Sequence, residues 1–176
     1  MPHPSPSARF WDRIAPRYAR AAIADQAGYE KTFRRVSGLL APTHTVLELG
    51  CGTGTTALRL APHARSLLAT DASPEMVAIA RERLHAQPTP GLTFAVADAD
   101  LATFDTAGYD RVLAFNLLHL LADLDQALAA IAHTLRPGGL FISKTPCIAE
   151  MNPLIPHLAV PLMRAVGKAP PLLRFD

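Results

Sequence analysis

The stretch VLELGCGTGTTALRL, residues 46–60, permits few folds. It opens on an apolar, β-forming run, turns through Gly50, Gly52 and Gly54, and continues with helical spacing. Glycines so placed let a strand turn sharply into a helix. They also leave the main chain open to a ligand, with no Cβ in the way. The helix that follows offers unpaired N–H groups at its start. Strand, glycine loop and helix in that order open a βαβ unit.

The rest of the chain continues the alternation. Strands are expected at Thr45–Leu49, Ser66–Thr70, Leu92–Val96, Arg111–Phe115 and Leu140–Lys144, where short apolar runs end in Gly, Asp or Asn or follow a Pro-Gly-Gly turn. Helices are expected between them at Thr55–Ala61, Pro74–Leu84 and Leu124–Leu135. Ser73 should cap the second, with Pro74 at its first position, and Pro137-Gly138-Gly139 should stop the third. Ahead of them, a helix fits Ala8–Ala24, which Pro16 is expected to kink or split. Gly28 should break it, and a second helix fits Tyr29–Leu40. The pattern is an α/β fold: a three-layer, Rossmann-like parallel sheet with helices on both faces and an N-terminal helical cap. Residues 1–41 are assigned to an arm and cap, 42–146 to the core, and 147–176 to a Pro-rich helical segment.

Composition narrows the class. A chain of 176 residues, 49% hydrophobic and 18% charged, suits one folded domain. Seventeen basic and fifteen acidic residues leave a net charge of +2, too balanced to argue for nucleic acid or a membrane surface. Cys51 and Cys147 form no metal-binding spacing, so no metal site is expected. The first residues, MPHPSPSARF, lack the apolar core of a signal peptide. The most apolar stretch, 153–166, is short and broken by prolines, so no membrane insertion is expected. A cytoplasmic location is the simplest reading.

Ligands of such sheets bind beyond the carboxyl ends of the strands, so the residues there carry the chemistry. Glu48 stands two residues before the first glycine. The dinucleotide fingerprint would require a third glycine where this chain has Thr55, and a pyrophosphate would be repelled by Glu48. A ligand bearing an ammonium group would be attracted. Asp71 ends the second strand at the spacing where an acid reaches a ribose hydroxyl pair. Asp98 ends the third and suits an exocyclic amine, with Ala99 offering its N–H; Asp100 is the alternative reader. Three acids thus converge on one crevice, and no phosphate-clamping cation accompanies them. The combination points to a cationic, phosphate-free nucleoside.

These segments resemble the class I S-adenosylmethionine (SAM)-dependent methyltransferases, of the small-molecule type related to ubiquinone and menaquinone biosynthesis. VLELGCGTG (46–54), ATDASPEMVAIARERL (69–84), FAVADAD (94–100), YDRVLAFNLLHLL (109–121) and LRPGGLFIS (135–143) carry the resemblance, in order, over residues 45–145. It implies that Glu48, Gly50, Cys51, Gly52 and Gly54 surround the methionine part of SAM. Asp71 would hold the ribose, Ala72 or Met76 would pack near adenine, and Asp98 and Ala99 would read its edge. Asn116 and Leu117 would line the floor near the sulfonium. Tyr18 matches a lid tyrosine, with Trp11 the other aromatic candidate. His119 is the nearby candidate base, though it reads more readily as a histidine held structurally at a helix start. Cys51 reads also as a small filler, and Tyr18 also as a core-packing residue. The implied reaction is in-line transfer of the sulfonium methyl to a small molecule.

Two departures matter. The family's sixth and seventh strands find no counterpart after Lys144, which would leave strand five at an open edge. A fragment is the favoured explanation, and a homodimer covering that edge is the other. Asn116 is followed by Leu-Leu-His and not by the Pro-Pro-aromatic run of nucleic-acid aminomethyltransferases. The competing functions are a SAM-binding module without catalysis and a nicotinamide-dependent oxidoreductase.

Overall fold

The computed structural model describes residues 6–99 and 108–145. Helices α1 (Pro6–Arg20) and α2 (Gln26–Ser37) precede β1 (Thr45–Leu49). There follow α3 (Thr55–Leu60), β2 (Ser66–Asp71), α4 (Pro74–Ala86), β3 (Leu92–Val96), β4 (Tyr109–Phe115), α5 (Leu124–Thr134) and β5 (Leu135–Lys144). All neighbouring strands pair in parallel, in the order β3-β2-β1-β4-β5. The chain moves outward from β1 to β3, then crosses to the other side of β1. Between β1 and β4 the strand order reverses, and there the ends of the strands open a crevice.

Side-chain alternation along each strand builds two cores. Val46 of β1 joins Leu67, Leu113 and Phe94 under α2, α3 and α4. Leu47 and Leu49 point the other way and join Val112, Leu121, Ala127 and Ile131 beside α5. Helix α1 packs on α4, with Ala8 and Ala15 buried.

Strands β1 and β3 lie where their sequences place them, and Ser73 caps α4 by accepting from the Met76 N–H at 3.1 Å. Several boundaries differ, most by one to three residues. Helix α1 runs through Pro16 as one element and ends at Arg20. Gly28 does not break a helix: it lies in the first turn of α2, where Asp25 accepts from its N–H at 2.8 Å and caps the helix. Strand β4 begins two residues early, at Tyr109. Helix α5 stops at Thr134, before Pro137, and β5 starts at once. Its register jumps from Leu135 opposite Tyr109 to Leu140 opposite Arg111, so Arg136–Gly139 bulges out of the ladder. Asp100, Cys147 and the expected Pro-rich helical segment over 147–176 lie outside the described residues. Among the described residues no helix is long and apolar enough to cross a membrane.

Candidate active site

The crevice is built on the loop after β1. Gly50, Gly52 and Gly54 all adopt left-handed backbone, with φ of 68°, 54° and 79°. At Gly50 the conformation serves a close approach: a Cβ there would lie 2.8 Å from Cδ1 of Leu117, whose side chain covers the loop from the end of β4. The Cys51 N–H donates to the Thr70 carbonyl at 2.9 Å, tying the loop to β2. Its thiol is buried, and burial with the Glu48 and Asp71 charges pushes its pKa far up, so it is no nucleophile.

Asp71 fastens the loop from the other side. One carboxylate oxygen accepts from the Gly52 N–H at 2.8 Å, the other from the Ser73 N–H at 2.9 Å. Burial raises its pKa, and the two N–H donors oppose that rise. Each oxygen has a second lone pair, so the group retains acceptor capacity. Asp98 lies close enough for its charge to raise the Asp71 pKa further. Ala99 is buried next to it in the chain.

Glu48 is the unusual group. It is 2% exposed, and Oε2 has no hydrogen-bond partner among the described residues. Burial first, then the Asp71 charge, pushes its pKa up to about 8. A buried acceptor left unpaired is costly unless something comes to meet it.

The remaining expected residues divide. Tyr18 is half exposed, and its ring stands over Gly52: a Cβ on that glycine would lie 3.8 Å from Tyr18 Cε1. Trp11 supports it edge-on, with ring centroids 6.1 Å apart. Asn116 is exposed at the end of β4, with positive φ (53°) and its N–H donating to the Lys144 carbonyl at 2.7 Å. Of the two residues offered for adenine, Ala72 is partly exposed and Met76 is sealed at 2%. His119 lies buried in a 3-10 turn, Leu118–Leu120, with no partner for Nδ1 among the described residues and its pKa lowered by burial. It is therefore neutral near pH 7. Among the described residues no cluster of His, Cys, Asp and Glu could hold a metal ion.

Two residues that organise the crevice were not visible in the sequence. Asp12 of α1 accepts from the Ser73 hydroxyl at 2.6 Å and the Glu75 N–H at 3.2 Å. Arg83 of α4 donates to the Thr53 carbonyl (3.0 Å), Thr53 Oγ1 (2.8 Å), Thr55 Oγ1 (2.8 Å) and the Ala19 carbonyl (2.8 Å). One guanidinium thus ties the glycine loop to the end of the helix that carries Tyr18. These partners lie 28 to 64 residues away, and no local pattern signals such pairs.

Comparison with known proteins agrees with this geometry. Residues 46–139, 94 of the chain's 176, match the family described as "Methyltransferase domain". The ubiquinone/menaquinone biosynthesis C-methyltransferase UbiE of Acidiphilium cryptum is 39% identical over 103 residues, covering 57% of this chain and 41% of that protein. A non-reducing polyketide synthase of Aspergillus terreus is 37% identical over 132 residues, covering 69% of this chain and 5% of that protein. This chain therefore spans less than half the length of these curated relatives. The crystal structure of an S-adenosylmethionine-dependent methyltransferase from Mesorhizobium loti superposes with a TM-score of 0.64 at 28% identity, over 73% of this chain and 57% of that one.

Proposed function

The chain belongs to the class I S-adenosylmethionine-dependent methyltransferase family, and from that premise we propose that it holds SAM across the carboxyl ends of β1 to β4 and methylates a small molecule. The observation that carries this reading is the unpartnered, buried Oε2 of Glu48 beside a glycine loop held by Asp71. A ligand with an ammonium group answers that orphan acceptor, whereas a pyrophosphate would not.

Each residue then has a part. Glu48 pairs with the ammonium of the methionine moiety, and the loop of Gly50, Cys51, Gly52 and Gly54 lies along it. Asp71 uses its remaining lone pairs for the ribose hydroxyls. Ala72 flanks the adenine, with Met76 behind as support. Asp98 and the Ala99 N–H read the adenine edge. Leu117 and Asn116 form the floor, and Tyr18 with Trp11 the roof. When bound, SAM supplies an electrophilic methyl group, so the protein's own work is holding, aligning and excluding water. His119, buried and neutral, is the candidate base should the acceptor need a proton removed. Cytoplasmic residence fits the absence of any demand for oxidised cysteines.

Calorimetric titration of the purified chain with SAM, with NAD as control, tests the reading. Micromolar SAM binding with none to NAD supports it, and no SAM binding by a cooperatively folded chain overturns it. Turnover separates an enzyme from a binding module. Asp71→Ala should weaken SAM binding by about 2 to 4 kcal/mol, since up to two charge-assisted hydrogen bonds are lost. Because Asp71 also anchors Gly52 and Ser73, the variant's urea midpoint should fall too. An affinity within twofold of wild type would refute the ribose assignment. If His119 is a base, His119→Ala should keep SAM affinity and slow turnover; unchanged turnover would fit an acceptor that enters already deprotonated, and loss of folding would mark the ring as structural.

A further inference from the structure

A cavity of about 350 Å³ lies beside the glycine loop, with Tyr18, Thr53 and Asn116 among its lining residues. None of Glu48, Asp71, Asp98 or Leu117 lines it. Its walls are the alanine-rich connector after α1, the Phe33 and Val36 face of α2, the start of α3, and the ends of β4 and β5 at Phe115 and Lys144. That is about twice the volume of an apolar cavity that holds benzene, so it suits one or two rings.

The charge on these walls has one sign. Only Arg83 and Lys144 among the lining residues are ionised, and both are cationic. All four of these hydrogen bonds of Arg83 go to neutral oxygens, and among the described residues it forms no ion pair. Lys144 forms no ion pair among the described residues. Glu30, on the helix that forms one wall, is already paired with Arg59 at 2.7 Å.

We propose that this cavity takes the methyl acceptor, and that the acceptor is a small aromatic oxyanion, a phenolate or an arene carboxylate. The proposal rests on the methyl-transfer reading above. Apolar and aromatic walls hold the ring, and the two cations hold the charge. The acceptor oxygen forms its bond to the methyl carbon while the sulfur–carbon bond breaks and its electron pair remains on sulfur. An acceptor that enters as an anion brings no proton to remove. Its methylated product is neutral and loses the attraction of the two cations, which favours release. An amine fits poorly: as an ammonium it is repelled, and as a free base it would become a cation among cations.

The test uses the full chain saturated with S-adenosylhomocysteine, with 4-nitrophenolate and 4-nitrobenzylammonium as nitroarene probes of similar size and opposite charge. The phenolate should bind at least tenfold tighter. Lys144→Glu should reduce that preference tenfold or more, while S-adenosylhomocysteine affinity stays within twofold; Lys144→Gln should fall between. Equal binding of the two probes, preference for the ammonium, or an unchanged preference in Lys144→Glu would overturn the proposal while leaving the cofactor reading standing. Failure of S-adenosylhomocysteine itself to bind would instead bring down the methyl-transfer reading and this proposal with it.

Discussion

Gly54→Ala should destabilise the protein by about 2 to 5 kcal/mol, read as a fall in the urea midpoint at unchanged slope. Two costs add. The residue has φ of 79°, where an L side chain costs about 1 to 2 kcal/mol. The new Cβ would also lie 2.7 Å from Phe94 Cζ and 2.9 Å from Ala80 Cβ, both fully or nearly buried, and overpacking of that kind costs about 1 to 3 kcal/mol. Gly138 supplies the control. Its φ is 78°, yet nothing lies within 4 Å of the position its Cβ would take. Gly138→Ala should therefore show only the backbone cost, about 1 to 2 kcal/mol. Equal losses in the two variants would mean that Phe94 and Ala80 yield freely. If packing contributes as argued, Phe94→Leu should recover part of the Gly54→Ala deficit when the two are combined. The consequence for the site is direct: Gly54 fixes the loop whose Gly52 N–H holds Asp71, so the variant should bind SAM more weakly even where it remains folded.

Much of this could be read from sequence because it is local. Strand β1, its glycine loop and the Ser73–Pro74 start of α4 are each specified by adjacent residues, and Thr45–Leu49 and Leu92–Val96 fall where their own patterns put them. Glu48, Asp71 and Asp98 stand out as candidates for the same reason, since each follows from its place at or near a strand end. The pattern misplaces the start of α2 because Gly28 reads as a breaker, whereas Asp25 accepts its N–H and turns it into part of a cap. Similarly, Pro-Gly-Gly reads as a terminator, but the parallel ladder with β4 continues on both sides of it and expels the turn as a bulge. The clamp by Arg83 and the cap by Asp12 depend on helix α1 lying against α4, which is a fact of packing and not of pattern. The cationic cavity is harder still to foresee. Its two charges come from α4 and β5, and they line one space only when α1, α2, α3, α4, β4 and β5 close around it.

The buried carboxyl of Glu48 should make the ligand-free protein lose stability as pH rises. Its pKa is about 8 in the folded chain against an ordinary 4.5, so between those values the folded state keeps a proton that the unfolded state has released. Raising the pH then favours unfolding. The full contribution is present below the unfolded value and is lost as pH climbs through the folded one. Over about three pH units, from roughly 5 to 8, the loss is on the order of 4 kcal/mol. Glu48→Gln should match wild type near the acid end and exceed it near pH 8 by most of that amount, in urea titrations run across the range. Asp71 and His119 also titrate, but they are present in both proteins and cancel in the difference. SAM should reverse the trend. An ammonium pairs with the ionised carboxyl, so wild-type affinity should rise up to tenfold per pH unit toward about 8, then fall as the ligand's own α-ammonium, of ordinary pKa about 8, is deprotonated. Glu48→Gln should lose the rising limb and, near pH 8, about 1.5 to 3 kcal/mol of binding. Parallel stability profiles for the two proteins would show that Glu48 is not held protonated by burial. Equal SAM affinities near pH 8 would remove it from the cofactor site altogether.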